Sequence, residues 1–160
     1  EGFARWNLCL SHKRRMKLNS TINRFECRDA ELTWTPGEEE EEDADLNKPQ
    51  QMLLSKFTPL IGHLTDAKLG LMHGRFYEVS STSPAGVVMR DIETDASIML
   101  PISKLRYVRL GYAITVNAVQ GRTLKTGIVR LFDTGHPHFT WRHLGVGLSR
   151  AVSLEQVEVA

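Results

Sequence analysis

Residues 110–125 read LGYAITVNAVQGRTLK, and the rest of the chain is best read outward from them. An apolar run breaks at Thr115 and Asn117, and Gln120–Gly121 follows. A glutamine or asparagine amide offers both a donor and an acceptor, and a glycine lets another backbone come close. Gly121 also fits a helix C-cap followed by a turn, a reading compatible with the same role. Downstream, residues 127–133 (GIVRLFD) are strand-like, and Thr140 is placed to cap a helix running to about Val152. Upstream, residues 7–11 (NLCLS) form a short apolar run that leads into a polar, helix-patterned stretch. Met16, Ile22 and Phe25 give that stretch a rough apolar stripe.

Between these flanks the pattern changes. Residues 76–79, 86–89 and 97–100 are short β-type runs separated by turn residues at 80–85 and 91–96. Spacing of about ten residues predicts a small meander or barrel. The whole therefore reads as an α/β layout interrupted by a small β unit.

Composition bounds the class. With 160 residues, 41% hydrophobic and 24% charged, the chain is long enough for a real core and ordinary for a globular domain. No apolar run approaches the roughly 18 residues that span a bilayer. The chain begins at Glu1 and enters a strand almost at once, which suggests a piece of a longer protein; no signal peptide is visible. Of its two cysteines, Cys9 lies in the apolar run and reads as a buried free thiol, which suits a reducing compartment.

The net charge of +1 hides an asymmetry. Residues 37–45 (GEEEEEDAD) hold seven acids and read as a solvated, mobile loop. Without them 20 bases face 12 acids, a balance that favours a polyanionic partner. Lys13, Arg14, Arg15 and Lys17 crowd the first turns of the helix after residue 11, where the helix dipole disfavours cations, so an anion bound near that helix start would relieve them.

Four blocks carry a resemblance. LGYAITVNAVQGRTLK (110–125) resembles the motif AYAxTVHKxQGxT of RecD-like and Pif-type superfamily 1 helicases, and LGVGLSRAVSL (144–154) resembles their final motif, YVALSRxxSL. LCLSHKRRMKLNSTIN (8–23) is similar to their strand, basic helix and asparagine of motif IV. LMHGRFYEV (71–79) is similar to the LxNGxxGxV segment that opens a small inserted barrel. The blocks stand in the family's order and cover most of the chain. The resemblance implies the second, C-terminal motor domain of an ATP-dependent DNA helicase. Its fold would be a RecA-like parallel sheet flanked by helices at 1–69 and 107–160, with an SH3-like β-barrel inserted at 70–106.

The same resemblance assigns roles. Arg150 matches the arginine finger, a planar, always-charged group suited to a transferring phosphoryl. Arg14 matches the basic position of motif IV that approaches nucleotide, with Arg15 as the adjacent candidate, and Gln120 and Gly121 match the pair beside the nucleotide cleft. Thr115 and Asn117 fall at strand-contacting positions, and Arg75, Arg106 and Arg109 border the inserted unit, Arg75 and Arg109 being taken as contacts to the nucleic-acid backbone. The implied cofactors are ATP and Mg²⁺, held mainly by a first motor domain. The implied partners are single-stranded DNA, with RNA left open, and that first domain; no membrane is involved and the location is intracellular.

Departures matter as well. Asn117 and Ala118 stand where the family often has His and Lys, removing a ring and a cation. Gly145 and Gly147 replace larger residues, each costing roughly 0.5–1 kcal/mol against Ala within a helix, and predict a loosened helix before Arg150 or close packing on the sheet. His136 and His138 read as incidental loop histidines rather than metal ligands. Trp34 and Trp141 read as packing residues. No GxxxxGK(S/T) loop and no Asp-Glu pair occur, so the chain alone is not expected to hydrolyse ATP. The alternative to a motor is a degenerate, non-catalytic nucleic-acid-binding module; a protein-interaction domain built on the inserted unit is a weaker third.

Overall fold

The computed structural model describes residues 5–37 and 48–160, so the acidic run at 38–45 lies outside the described residues. In chain order the elements are β1 (Trp6–Cys9), α1 (His12–Glu26), β2 (Leu32–Trp34), β3 (Met52–Leu54), β4 (Pro59–Gly62), β5 (Phe76–Ser83), β6 (Gly86–Asp91), β7 (Ser97–Pro101), β8 (Val108–Leu110), β9 (Ala113–Thr115), β10 (Val129–Leu131), α2 (Trp141–Arg150) and β11 (Val157–Val159). Short 3₁₀ turns precede β8, follow β9 and precede β11. Two compact units result, one formed by the residues up to Leu18 with Tyr112–Ala160, the other by Asn19–Gly111.

In the first unit, β1 is buried along its whole length, as a strand covered on both faces must be. It pairs in parallel with β9 on one side and β10 on the other, and β10 pairs in parallel with β11, giving the order β11-β10-β1-β9. Side chains reinforce the register. Asn7 Nδ2 donates to the Tyr112 carbonyl at 2.8 Å, and Trp6 Nε1 donates to the Thr126 carbonyl at 2.8 Å. The start of α1 is fixed by Ser11, whose hydroxyl accepts the Arg14 N–H at 3.2 Å.

The end of the first unit is built by α2. Thr140 lies at its N-cap, as expected, and its N–H donates to His143 Nδ1 at 3.0 Å. The helix runs to Arg150 without interruption, so the expected loosening at its glycines does not occur. Gly147 is buried against β10, where an added Cβ would lie 2.7 Å from Leu131 Cδ2, whereas an added Cβ at Gly145 would meet nothing within 4 Å. One glycine is therefore a packing requirement and the other is not.

The second unit holds a five-stranded antiparallel sheet of order β7-β6-β5-β4-β8 and a two-stranded antiparallel pair, β2-β3. The expected meander is β5-β6-β7. The sheet also takes in β4 and β8, which lie outside residues 70–106: β4 pairs with β5, and β8 pairs with β4. The edges of the sheet are β7 and β8, and no pairing among the described residues joins them. Asn23, in the half of α1 that belongs to this unit, is buried and acts as a surrogate strand residue: its Nδ2 donates to the Leu53 carbonyl and its Oδ1 accepts the Leu53 N–H, both at 2.8 Å.

The glycine contrast predicts opposite stability changes. Gly145→Ala should raise the unfolding free energy by about 0.5–1 kcal/mol through helix propensity alone. Gly147→Val should lower it by about 1–3 kcal/mol, because Leu131 is fully buried and has little room to move. Urea unfolding of the two variants checks this, and equal effects would refute the packing account.

Candidate nucleotide and nucleic-acid site

In a parallel sheet, ligands meet the carboxyl ends of the strands, above all where neighbouring strands send their connections in opposite directions. Here that point lies between β1, whose chain goes on to β9, and β10, whose chain goes on to β11. Leaving β1, the chain turns through Leu10 and Ser11 into α1; leaving β10, it passes through Phe132 and Asp133. Asp133 adopts a left-handed backbone (φ 64°) that non-glycine residues rarely take, and Asp and Asn tolerate it best. Its Oδ2 accepts the Leu10 N–H at 3.2 Å, and its Oδ1 lies 3.6 Å from Arg14 Nε. The anion that the basic helix start calls for is therefore supplied by the chain itself. The first turn of α1 contains no acid, so Asp133 answers its dipole from outside the helix.

Of the two adjacent arginines, Arg15 is buried and Arg14 is half-exposed, its guanidinium 5.5 Å from the centre of the Phe132 ring. Below them, burial pushes the Cys9 thiol up to about 12, Asp133 adding to the rise, so Cys9 stays neutral. It is a buried free thiol, as the sequence suggests.

The motif at 110–125 divides into strand, turn and loop. Thr115 ends β9 and is nearly buried, and the 3₁₀ turn Val116–Val119 follows. Val116 and Val119 anchor that turn inward, which leaves Asn117 and Ala118 exposed between them. Gln120 caps the turn, its N–H donating to the Asn117 carbonyl at 3.3 Å, and Gly121 adopts φ 78°. Among the described residues no hydrogen bond engages the Thr115 hydroxyl or the side-chain amides of Asn117 and Gln120.

Arg150, at the end of α2, reaches the same loop. Its Nη1 donates to the Arg122 carbonyl at 3.1 Å, while Nε and Nη2 donate to Ser149 Oγ at 3.2 and 3.0 Å. The backbone follows suit: the Leu124 N–H donates to the Arg150 carbonyl at 2.7 Å, and Leu124 bridges Ala151. The structure thus joins Arg150 to the Gln120–Gly121 loop. The contacts of Arg14 run elsewhere, to Ser11, Asp133 and Phe132.

The two arginines expected at the border of the inserted unit are committed internally. Arg75 pairs with Asp91 at 3.1 Å and Glu93 at 3.5 Å, and the hydrogen bond that it donates to Asp91 raises its guanidinium above the ordinary value. Arg109 is buried, and its Nη1 donates to the carbonyls of Arg106 at 2.6 Å and Val108 at 3.0 Å. Neither is a simple solvated cation. Burial alone would raise the Asp91 carboxyl, but N–H donors from Glu93 and Thr94 together with Arg75 outweigh it and hold the group below the usual carboxylate value.

Two structural features escaped the sequence reading. Asp133 stands inside an ordinary strand-like run, GIVRLFD, and nothing in that run marks its left-handed turn. Trp141, expected to pack, is 87% exposed. Among the described residues no three His, Cys, Asp or Glu side chains gather as metal ligands, and no helix is long and apolar enough to cross a membrane.

No family model matches the chain, and no curated protein matches it. Solved structures do. The chain is similar to the Pif1 helicase from Candida albicans (TM-score 0.69, 13% identity, 99% of this chain) and to Pif1 from Bacteroides in complex with ADP-AlF3 and ssDNA (TM-score 0.66, 18% identity, 96%). A second Bacteroides Pif1 structure, bound to ssDNA, matches 99% of this chain with a TM-score of 0.65 and 16% identity. The chain has the fold found in Pif1 helicases. It spans 45% of the Candida Pif1 chain and 40% of each of these Bacteroides Pif1 chains, the share that one domain of a larger Pif1 protein takes up.

The Asp91 network predicts an acid-sensitive stability term. Because the folded carboxyl sits below its unfolded value of about 3.9, its contribution is complete above that pH and is lost as pH falls through the folded value. Thermal denaturation from pH 7 to pH 2 should show a steeper acid limb for wild type than for Asp91→Asn, whose melting temperature at pH 7 should be lower. Superimposable acid limbs would remove Asp91 as the cause.

Proposed function

We propose that this chain is the second motor domain of an ATP-dependent DNA helicase. In this reading the four-stranded parallel sheet is the RecA-like layer, and the antiparallel sheet is the inserted SH3-like unit. ATP binds between this domain and a first motor domain of the same parent chain. Arg14, Gln120 and Gly121 face the nucleotide, and Arg150 is the finger that reaches the γ-phosphate when the cleft closes. Thr115 and Asn117 grip single-stranded DNA through groups that have no internal hydrogen bond to give up. Arg75 and Arg109 border the second unit as its contribution to the backbone contact, and Arg75 exchanges Asp91 or Glu93 for a phosphate when it engages. Translocation runs 5′ to 3′.

The observation that carries this reading is the environment of Arg150. Arg14, Arg75, Arg90 and Arg130 all pair with carboxylates. Arg150 is held only by neutral oxygens, the Ser149 hydroxyl and the Arg122 carbonyl. Neutral acceptors orient a guanidinium without cancelling its charge, so the full positive charge remains for a phosphoryl group whose transfer is catalysed mainly by positioning and electrostatics. The helix-surface salt bridge that would explain such an arginine without function is absent among the described residues.

Magnesium does not fit this chain's own residues. Asp133, the carboxylate beside Arg14, is engaged by the Leu10 N–H and by Arg14, and no group of three His, Cys, Asp or Glu side chains forms among the described residues.

The test is ATP turnover by the parent chain with and without oligo(dT). Arg150→Ala should lower stimulated turnover on the order of a thousandfold while nucleotide still binds. The 160-residue chain alone should show none. A wild-type parent without DNA-stimulated turnover would place the chain among non-catalytic binding modules.

A further inference from the structure

The first unit carries an apolar groove that the proposed motor does not use. It has a volume of about 470 Å³. Phe139, Trp141, Leu144 and Val159 form its apolar lining, and the hydroxyl-bearing Thr134 and Thr140 complete it. Trp141 is the most exposed large apolar residue among the described residues, at 87%. An indole left in water at the mouth of an apolar groove marks a binding surface, because the ring gains little from folding where it stands.

Charge narrows the occupant. From Thr134 to Leu154 the sequence contains no carboxylate, while it carries Arg142 and Arg150 and the histidines His136, His138 and His143. Arg142, beside Trp141, is exposed and engages no partner among the described residues. His136 and His138 lie exposed in the loop ahead of α2, their rings 5.3 Å apart. A purely apolar partner would have to desolvate the Arg142 guanidinium without compensation. An occupant that offers a flat ring and an anion in each repeating residue satisfies groove and rim together. Thr140 is engaged with His143, and the Thr134 hydroxyl adds a donor and an acceptor suited to the edge of a heterocycle rather than to an aliphatic side chain.

We propose that this groove is a stacking site for a base of single-stranded nucleic acid, with Trp141 as the ring platform and Arg142 as the contact to the adjoining phosphate. The inference rests on the nucleic-acid-binding reading above but adds a site separate from the Thr115–Asn117 grip. Sequence-tolerant stacking on an aromatic side chain next to cations is how single strands are commonly held.

The test uses the 160-residue chain and a fluorescein-labelled oligo(dT), followed by anisotropy at low salt, with far-UV circular dichroism as the check on folding. Trp141→Ala should weaken binding by about 5- to 100-fold, and Trp141→Phe, which keeps a ring, by less than about threefold. Arg142→Gln should reduce the slope of log affinity against log salt by about one unit or slightly less. Intrinsic fluorescence offers a second reading: Trp6 is buried and Trp34 half-buried, so quenching on binding should disappear in Trp141→Phe. If wild type and Trp141→Ala bind equally, the groove is no nucleic-acid site, while the proposed function survives. If Trp141→Ala instead weakens association with the parent's first motor domain and leaves oligonucleotide binding intact, the groove is a protein contact and the inference falls. If wild type binds no oligonucleotide even at low salt, both readings fail together.

Discussion

Four residues, Trp6–Cys9, hold the first unit together. β1 is one of the two inner strands of the parallel sheet, and its partners arrive more than a hundred positions later: Asn7 meets Tyr112, Trp6 meets Thr126, and Leu10 just beyond it meets Asp133. Such closure is less demanding than it looks. Loop entropy grows only logarithmically, so lengthening a connection from about ten to about a hundred residues costs about 2 kcal/mol. A buried strand with both ladders made and its side chains engaged offsets that readily. This is why an entire second unit, Asn19–Gly111, fits between β1 and β9 without disturbing the sheet.

The same anchoring decides where charge can act. Asp133 ties the exit of β10 to the start of α1 through a backbone N–H and so spends its carboxylate on architecture. Arg14 is drawn toward that carboxylate, and Arg75 and Arg109 are drawn into the second unit by carboxylates and carbonyls. Along one loop the Thr115 hydroxyl and the amides of Asn117 and Gln120 are left without a hydrogen bond among the described residues, and at one helix end Arg150 is held by neutral oxygens. This sorting of partners separates these groups from ordinary surface cations, which are common on surfaces that bind nothing.

The sequence made the architecture readable where one physical rule dominates. The uninterrupted apolar run at 7–10 predicted a buried strand, Thr140 predicted the start of α2, and the evenly spaced β-runs predicted the antiparallel meander. It was less readable where two rules compete. Gly145 and Gly147 look alike in sequence, but only Gly147 meets Leu131, and no local pattern says which face of α2 turns inward. β4 and β8 were missed because their pairing with each other is non-local: Leu60 faces Leu110 across fifty positions. At the site, Arg75 and Arg109 read as surface cations because ion pairs and carbonyl contacts that form only on folding leave no trace in spacing.

Trp141 shows the opposite failure and what it means. Tryptophan is expected to pack, since burying an indole is among the larger single gains in folding. Here Phe139 and Leu144 line the groove in its vicinity, yet the indole stays in water. An energetically favourable burial left unmade within the described residues marks a place where local preference and fold disagree, and such places concentrate at surfaces that act on something else. Within residues 134–154 the only Asp, Glu, Lys or Arg side chains are Arg142 and Arg150, and Arg142 has no partner among the described residues. Exposed aromatic and unopposed cation occur side by side in consecutive residues, Trp141 and Arg142, at the start of the helix whose other end presents Arg150. In the proposed reading α2, about 15 Å long for its ten residues, is the rigid link between a base stacked in the groove at its start and the nucleotide that Arg150 would reach at its end.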